Sequence, residues 1–281
     1  MSEIVFLNGA YVERSEAGIS PDDRGFIFAD GIYEVTKFYN GKAFRITDHL
    51  ERLKRSLKEI NINFQPVSEL ESISLTLLEK NRLMNTHAGV YWQISRGAHP
   101  RVHHFPTEIT PTLYAFAFPL PSAEEKLAKG IKVIVQDDIR WKRCDIKSVS
   151  LLPNTMLYNK AVESGAGESI LVRDGYVTEA THSGLFTVKN GVVITRPLSN
   201  LILPSITRKV VLELCAANQL PVEEKLFTEN ELKEMDEIFI CGTGSEIMPV
   251  VQADDIRIGN GEPGTVTRKI QQLFFDAVNR L

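Results

Sequence analysis

The 281-residue sequence has only three cysteines, Cys144, Cys215 and Cys241. They are odd in number, far apart and without Cys-x-x-Cys spacing, which speaks against a disulfide framework and points to a reducing cytoplasm. Long apolar runs are absent too. No uninterrupted stretch approaches the length of a membrane span, so no membrane partner is expected. Positive charge is not in excess: 32 Lys and Arg stand against 36 Asp and Glu, for a net charge of -4. Such a balance offers no broad basic surface to nucleic acid. The start, Met1-Ser2-Glu3-Ile4, has no basic region followed by an apolar run, and no signal peptide is expected. Internal repeats and low-complexity tracts are also missing. A chain of this length exceeds one average domain and can bury a sizeable core.

Turn chemistry is what the chain has in quantity. Asn8-Gly9, Asn40-Gly41, Asp174-Gly175 and Asn190-Gly191 each sit between apolar, β-branched or aromatic flanks. These dipeptides supply the positive φ angles of tight hairpins, so much antiparallel sheet is expected. Helical periodicity is present as well. Leu50, Leu53, Leu57 and Ile60 mark one face of a helix starting near Thr47, read as its N-cap. Leu70, Ile73 and Leu77 mark a second helix, and Val210 and Leu214 a third that begins near Ser205. The segment Thr267 to Leu281 reads as a C-terminal helix.

The best boundary is Phe118-Pro119-Leu120-Pro121-Ser122, because two prolines around one residue discourage both helix and central strand. A charged run from Glu124 to Lys129 follows, then a fresh strand at Ile131 to Val135. The expected organisation is α+β: a small N-terminal domain over 1–118, a linker over 119–123, and a larger sheet-rich domain over 124–281. A cleft between domains is a common place for a cofactor.

Two residues carry the chemical argument. Lys147 interrupts an apolar, strand-like region, where an unpaired ammonium is costly. Free lysine titrates near ~10.4, and burial favours the neutral, nucleophilic amine. Glu179 closes a later strand just after a turn. An amine that can be made nucleophilic, plus a carboxylate that can hold a proton on a ring nitrogen, suggests pyridoxal 5'-phosphate. The plainer alternatives are an edge-strand lysine reaching solvent and a surface glutamate at a strand end. A phosphate would need a seat. Leu203-Pro204-Ser205-Ile206-Thr207-Arg208 enters a helix, whose free N–H groups and dipole suit a dianion. Cys241-Gly242-Thr243-Gly244-Ser245 is a second candidate. His49, Arg52 and Ser56 share the helix face away from Leu53 and Leu57. That face is either solvated or brings Arg52 over the phosphate. The loop Arg101-Val102-His103 offers an arginine fork for a carboxylate. His99, His103 and His104 lack an accompanying cysteine or acidic cluster, so no metal site is expected.

Taken together, these residues resemble the fold-type IV pyridoxal-phosphate enzymes of the class IV aminotransferase family, and most of all the bacterial D-amino-acid transaminases. The likeness runs from Asp23-Arg24-Gly25 and Asp30-Gly31-Ile32-Tyr33-Glu34-Val35 to Gly244-Ser245-Glu246-Ile247-Met248-Pro249-Val250. Its most specific stretch is Ile139-Arg140-Trp141-Lys142-Arg143-Cys144-Asp145-Ile146-Lys147-Ser148. The resemblance implies a small α/β sandwich followed by a pseudo-barrel with flanking helices. It implies that Lys147 carries the internal aldimine and serves the 1,3-proton shift, and that Glu179 faces the pyridine nitrogen. Arg52, Ile206, Thr207 and Thr243 would bind the phosphate, and Leu203 would pack on the ring. Tyr33, Arg101 and His103 would trap the substrate α-carboxylate. In the family the Arg-x-His loop comes from the neighbouring subunit, which implies a homodimer. That loop also separates the D-amino-acid enzymes from aminodeoxychorismate lyases and branched-chain L-amino-acid transaminases, the two rival activities. A non-catalytic small-molecule binding protein is a third rival. Three departures bear on cofactor affinity and substrate range. Ala180-Thr181-His182-Ser183-Gly184 replaces a serine-rich run ending in asparagine. Pro204-Ser205 stands where a lysine-glycine or glycine pair is usual. Gly242 occupies a position that can carry a serine hydroxyl near the phosphate.

Overall fold

The structure, a computed structural model, describes residues 3–281. Met1 and Ser2, read above for a leader, lie outside the described residues. The chain divides into two compact units. One runs to Ser122 and takes in Ile146–Ser150 and Leu281; the other holds Ala123–Asp145 and Leu151–Arg280.

In the first unit, β1 (Ile4–Leu7), β2 (Ala10–Glu13), β3 (Gly31–Tyr39), β4 (Lys42–Ala43), β5 (His87–Ser95) and β6 (Thr112–Pro119) form one antiparallel sheet in the order β2-β1-β6-β5-β3-β4. The Asn8-Gly9 turn, with φ of 47° and 95°, closes the first hairpin in the left-handed backbone that twist-matched turns require. Three helices accompany the sheet: α1 (Arg24–Phe28), α2 (Ile46–Glu59) and α3 (Glu69–Lys80). Leu53 and Leu57 of α2 and Leu70, Ile73 and Leu77 of α3 pack with Ile32, Phe38, Val90, Trp92 and Ala115 of the sheet. The indole of Trp92 donates to Ser74 Oγ at 2.9 Å, so its buried N–H is satisfied.

Two expectations change here. The cap of α2 is Arg45, in left-handed backbone with φ 59°, and Thr47 lies inside the first turn. No side chain caps this end. Lys147 lies in no regular strand: Ile146–Ser150 is an irregular segment with one bridge, Ser148 to Ile32, and with the Tyr33 N–H donating to the Lys147 carbonyl at 2.9 Å. Ile146 packs into the core of this unit.

The second unit is built on β7 (Ile131–Asp137), β8 (Glu168–Arg173), β9 (Tyr176–Ala180), β10 (Gly184–Lys189), β11 (Val192–Thr195), β12 (Val222–Glu224), β13 (Glu237–Gly242), β14 (Glu246–Ala253) and β15 (Ile256–Arg257). They form a curled half-barrel sheet in the order β12-β11-β10-β13-β14-β7-β8-β9, with β15 on β14. β7 pairs parallel with β14 and β8, and β11 pairs parallel with β12; the other pairs are antiparallel. The Asp174-Gly175 turn, φ 53° and 79°, joins β8 to β9 and so delivers Glu179 two positions before the next turn of the chain. Helices α4 (Glu124–Lys129), α5 (Leu152–Glu163), α6 (Ile206–Ala217), α7 (Glu229–Lys233) and α8 (Thr265–Val278) complete the unit. α6 starts where Ser205 predicts, and the Ser205 hydroxyl oxygen accepts from the Arg208 N–H at 3.2 Å. α8 begins two residues before the expected Thr267 and ends at Val278. α5 escaped the periodicity because only Leu157 and Ala161 are buried, while Leu152, Met156 and Val162 are exposed.

Candidate active site

In the first unit the site grows from β3 and α2. β3 alternates, so Glu34 points with Ile32 and Phe38 toward the helices, into a place where an unpaired carboxylate would be expensive. α2 answers with a charged and polar stripe. Arg52 donates Nε to Glu34 Oε1 at 2.6 Å and Nη2 to Glu34 Oε2 at 2.8 Å, a two-point fork. His49 Nδ1 lies 2.9 Å from Glu34 Oε2. All four of Glu34, His49, Arg52 and Ser56 are buried, so the solvated-face reading of this helix stripe is overturned. Burial pushes the Glu34 carboxyl up, but Arg52 and His49 more than reverse this and hold it well below the usual carboxylate range. Burial pushes His49 down while Glu34 pulls it up, and beside the ionised Glu34 carboxylate, which can only accept, its Nδ1 is the donor.

Lys147 joins this cluster. Its backbone N–H points at Ser56 Oγ, 3.4 Å away, and its Nζ stands 4.3 Å from the centre of the Tyr33 ring. Tyr33 in turn stacks on Tyr91 at 5.5 Å. Lys147, Tyr33 and Arg52 are therefore brought together in one place. Arg101 and His103 lie elsewhere in the unit, both exposed, and gather on Phe28: the Arg101 guanidinium is 5.1 Å and the His103 ring 5.5 Å from its ring. Arg24 fixes that loop by donating to the Val102 carbonyl at 2.6 Å.

The second unit holds Glu179. Its Oε1 accepts from Arg140 Nη1 at 2.6 Å, and both its oxygens lie within 3.2 Å of the Leu203 N–H. Arg140 is locked from behind by Asp138, through Nε and Nη2 at 2.9 Å each. Asp138 also meets Arg173 at 3.0 Å and the Thr178 hydroxyl at 3.0 Å. Burial pushes the Glu179 carboxyl up, while Arg140 and the Leu203 N–H pull against it. Burial likewise opposes the Arg140 charge, but Glu179 and Asp138 together raise its affinity for the proton.

Leu203 leads directly into the start of α6. There the Ile206 and Thr207 N–H groups open the helix and have no acceptor within it. Both residues are buried. Gly184 and Cys241 are cross-strand partners beside this helix start: a Cβ on Gly184 would stand 3.3 Å from Cys241 Sγ and 3.6 Å from Ser205 Cβ. Thr243 follows in the half-buried turn between β13 and β14. A carboxylate at one end of the Leu203–Ile206 segment and free N–H donors at the other match the two polar ends of a pyridine phosphate. Glu179, Leu203, Ile206, Thr207 and Thr243 thus belong to one region of the second unit.

Behind β9 lies a third cluster. Glu168 is fully buried, and its Oε1 accepts from the Ser169 and Thr181 N–H groups at 2.7 Å and 3.2 Å and from the Thr181 hydroxyl. His182 Nδ1 stands 2.6 Å from Oε2, close enough to pair although off the hydrogen-bond direction. Burial pushes the Glu168 carboxyl up, and His182 and Thr181 more than offset this, leaving it lowered.

Glu34, His49, Arg140 and Asp138 carry much of this architecture, yet no role was read for them in the sequence. Arg140 sits in a run with Lys142 and Arg143, where composition does not tell the buried guanidinium from its exposed neighbours. Glu34 leaves a signal: a lone acid at an inward position of an otherwise apolar strand.

The amino-transferase class IV family model matches residues 31–253, and the chain belongs to that family. Among curated proteins, it is 43% identical to a D-alanine aminotransferase of Bacillus licheniformis, over 98% of this chain and 96% of the relative. It is 41% identical to a D-alanine aminotransferase of Staphylococcus haemolyticus, over 96% of each chain. Among solved structures, the branched-chain amino acid aminotransferase of Escherichia coli matches with a TM-score of 0.92 at 27% identity, over 98% of this chain and 94% of that one.

Proposed function

We propose that this protein is a D-amino-acid transaminase, moving an amino group between D-amino acids, such as D-alanine, and 2-oxo acids, such as 2-oxoglutarate, with pyridoxal 5'-phosphate as cofactor. The observation that carries the reading is 43% identity, across 98% of the chain, to an enzyme named for D-alanine. The free N–H groups opening α6 and the carboxylate held at Leu203 support the fit of the cofactor.

When bound, pyridoxal phosphate supplies an aldehyde that joins an amine and a ring that withdraws electrons from the amino acid's Cα. The chain's residues do the rest. Lys147 Nζ is the amine that would hold the cofactor, and as a free amine it would take the Cα proton and return it. Glu179, fixed by Arg140 and the Leu203 N–H, would keep a proton on the ring nitrogen. Ile206 and Thr207 would hold the phosphate through backbone N–H, Thr243 and Arg52 would serve as further phosphate ligands, and Leu203 would pack on the ring. Tyr33, Arg101 and His103 fix the α-carboxylate and so decide which face of Cα meets Lys147.

The same reading assigns residues 1–118 to a small domain, 119–123 to a linker and 124–281 to the cofactor-binding domain. Arg101 and His103 are exposed in their own chain and gathered on Phe28. This supports a homodimer in which each chain's loop serves the other's site. Three free cysteines support a cytoplasmic location. No helix of the described residues is long and apolar enough to cross a membrane.

A second reading, an L-branched-chain transaminase, is favoured by the TM-score of 0.92 to the Escherichia coli enzyme. One experiment separates the two: D-alanine, L-alanine and L-leucine offered singly to the holoprotein, with the visible band followed. D-alanine alone should convert the cofactor to its amine form. Conversion by L-leucine instead would transfer the assignment. Borohydride treatment followed by peptide mapping should find the modification on Lys147; an unmodified Lys147 ends both readings.

A further inference from the structure

The turn from Gly242 to Ser245 meets the Thr181–Gly184 segment at two hydroxyls that the roles above do not use. Ser183 Oγ and Ser245 Oγ lie 3.0 Å apart. Ser183 is buried and Ser245 half-buried. Gly242 stands beside them: a Cβ placed there would be 2.9 Å from Ser245 Oγ and 3.4 Å from Ser183 Oγ. The Ser245 hydroxyl therefore occupies the room that a side chain at 242 would need. Ser183 is followed by Gly184, which abuts Ser205 at the start of α6. The hydroxyl pair is thus built into the same region as the Ile206 and Thr207 N–H groups.

We infer that Ser245 is a phosphate-binding residue of this site and that Ser183 positions its hydroxyl. This rests on the cofactor reading given above. A phosphate dianion only accepts hydrogen bonds, so a hydroxyl beside it must aim its single proton outward. Either hydroxyl of the pair can donate; in the inferred arrangement Ser183, the more deeply buried, donates to Ser245 Oγ. That leaves the Ser245 proton as the one directed at the phosphate. Gly242 makes the arrangement possible, because a larger residue there would press on the oxygen that Ser183 holds. Position 245 supplies the donor that a glycine at 242 cannot.

The test compares affinities for pyridoxal phosphate and for pyridoxal, which lacks the phosphate, by absorbance titration of protein stripped of cofactor. Ser245→Ala should weaken pyridoxal phosphate by about tenfold or more, the loss of one hydrogen bond to a charged group, and leave pyridoxal unchanged. The ³¹P resonance of the bound phosphate should move in that variant. Ser183→Ala should give the same pattern, reduced in size. Gly242→Ser, added to Ser245→Ala, should restore affinity, since the oxygen that crowds position 242 is gone. A merely structural role for Ser245 predicts no such rescue, and its absence would overturn the inference. So would an unchanged ratio of the two affinities in Ser245→Ala, or an unmoved ³¹P resonance. A wild-type protein that takes up pyridoxal but no pyridoxal phosphate would overturn the phosphate site as a whole, and one that takes up neither would remove the cofactor reading beneath it.

Discussion

Replacing Arg140 by methionine keeps most of the side chain's stem and removes its charge. In the folded protein the guanidinium is almost completely enclosed and ties together two carboxylates, Glu179 at 2.6 Å and Asp138 through two contacts of 2.9 Å. Their fates differ in Arg140→Met. Asp138 keeps Arg173 and the Thr178 hydroxyl. Glu179 keeps only the Leu203 N–H. Breaking a buried pair by removing one partner costs about 3–5 kcal/mol, because the remaining charge is left uncompensated. Denaturant unfolding at neutral pH, followed by the fluorescence of the adjacent Trp141, should show a loss of that size. Removing both charges, in Arg140→Met with Glu179→Gln, should recover part of it. The pH dependence has a definite sign. Burial already raises the Glu179 carboxyl, and loss of Arg140 raises it further. A raised carboxyl binds its proton more tightly folded than unfolded, so the deficit of Arg140→Met should shrink as pH falls. The proposed role of Glu179 requires it ionised to hold the ring proton, so on that proposal the acid limb of transaminase activity should move to higher pH for the same reason. Arg140→Met within about 1 kcal/mol of wild type, with an unmoved acid limb, would refute the account of this network.

Glu34→Gln removes the carboxylate that Arg52 grips through two points and should cost a similar ~3–5 kcal/mol at neutral pH. Because the native Glu34 carboxyl is depressed, its stabilisation is present above the ordinary carboxylate range and is lost as pH falls through the native value, so the variant's acid unfolding curve should be flatter than wild type's. His182→Ser removes the half of the Glu168 pair that faces solvent and lets that carboxyl rise; the pH titration of the visible cofactor band should shift, and an identical titration would place His182 outside the cofactor's network. Arg101→Ala should raise KM for D-alanine with little change in protein stability, because the side chain is exposed; equal turnover at subsaturating D-alanine would count against the carboxylate trap.

The local code of this chain was readable residue by residue. Asn8-Gly9, Asn40-Gly41, Asp174-Gly175 and Asn190-Gly191 each lie at a hairpin, because these dipeptides take positive φ at both residues at little cost when strands flank them. Ser205 caps α6, since its hydroxyl satisfies an N–H three residues on whatever surrounds it. The apolar stripes of α2 and α3 point into the core because helical period is intrinsic to the backbone. Resemblance to class IV aminotransferases rested on equally local stretches, and the family match bears it out.

Long-range partners were another matter. His49, Arg52 and Ser56 look like a wet helix face until Glu34, from a separate strand, is placed against them. Arg140 is indistinguishable from Lys142 in the sequence and becomes the clamp on Glu179 only when β7 and β9 bring Asp138 and Glu179 to either side of it. Lys147 reads as part of a strand-like region, yet its segment forms no strand and belongs to the compact unit of residues 1–122. Backbone geometry and capping depend on a few neighbours along the chain, so the sequence alone determines them. The ionisation of a buried carboxylate depends on which distant guanidinium shares its low-dielectric surroundings, and only the tertiary structure decides that.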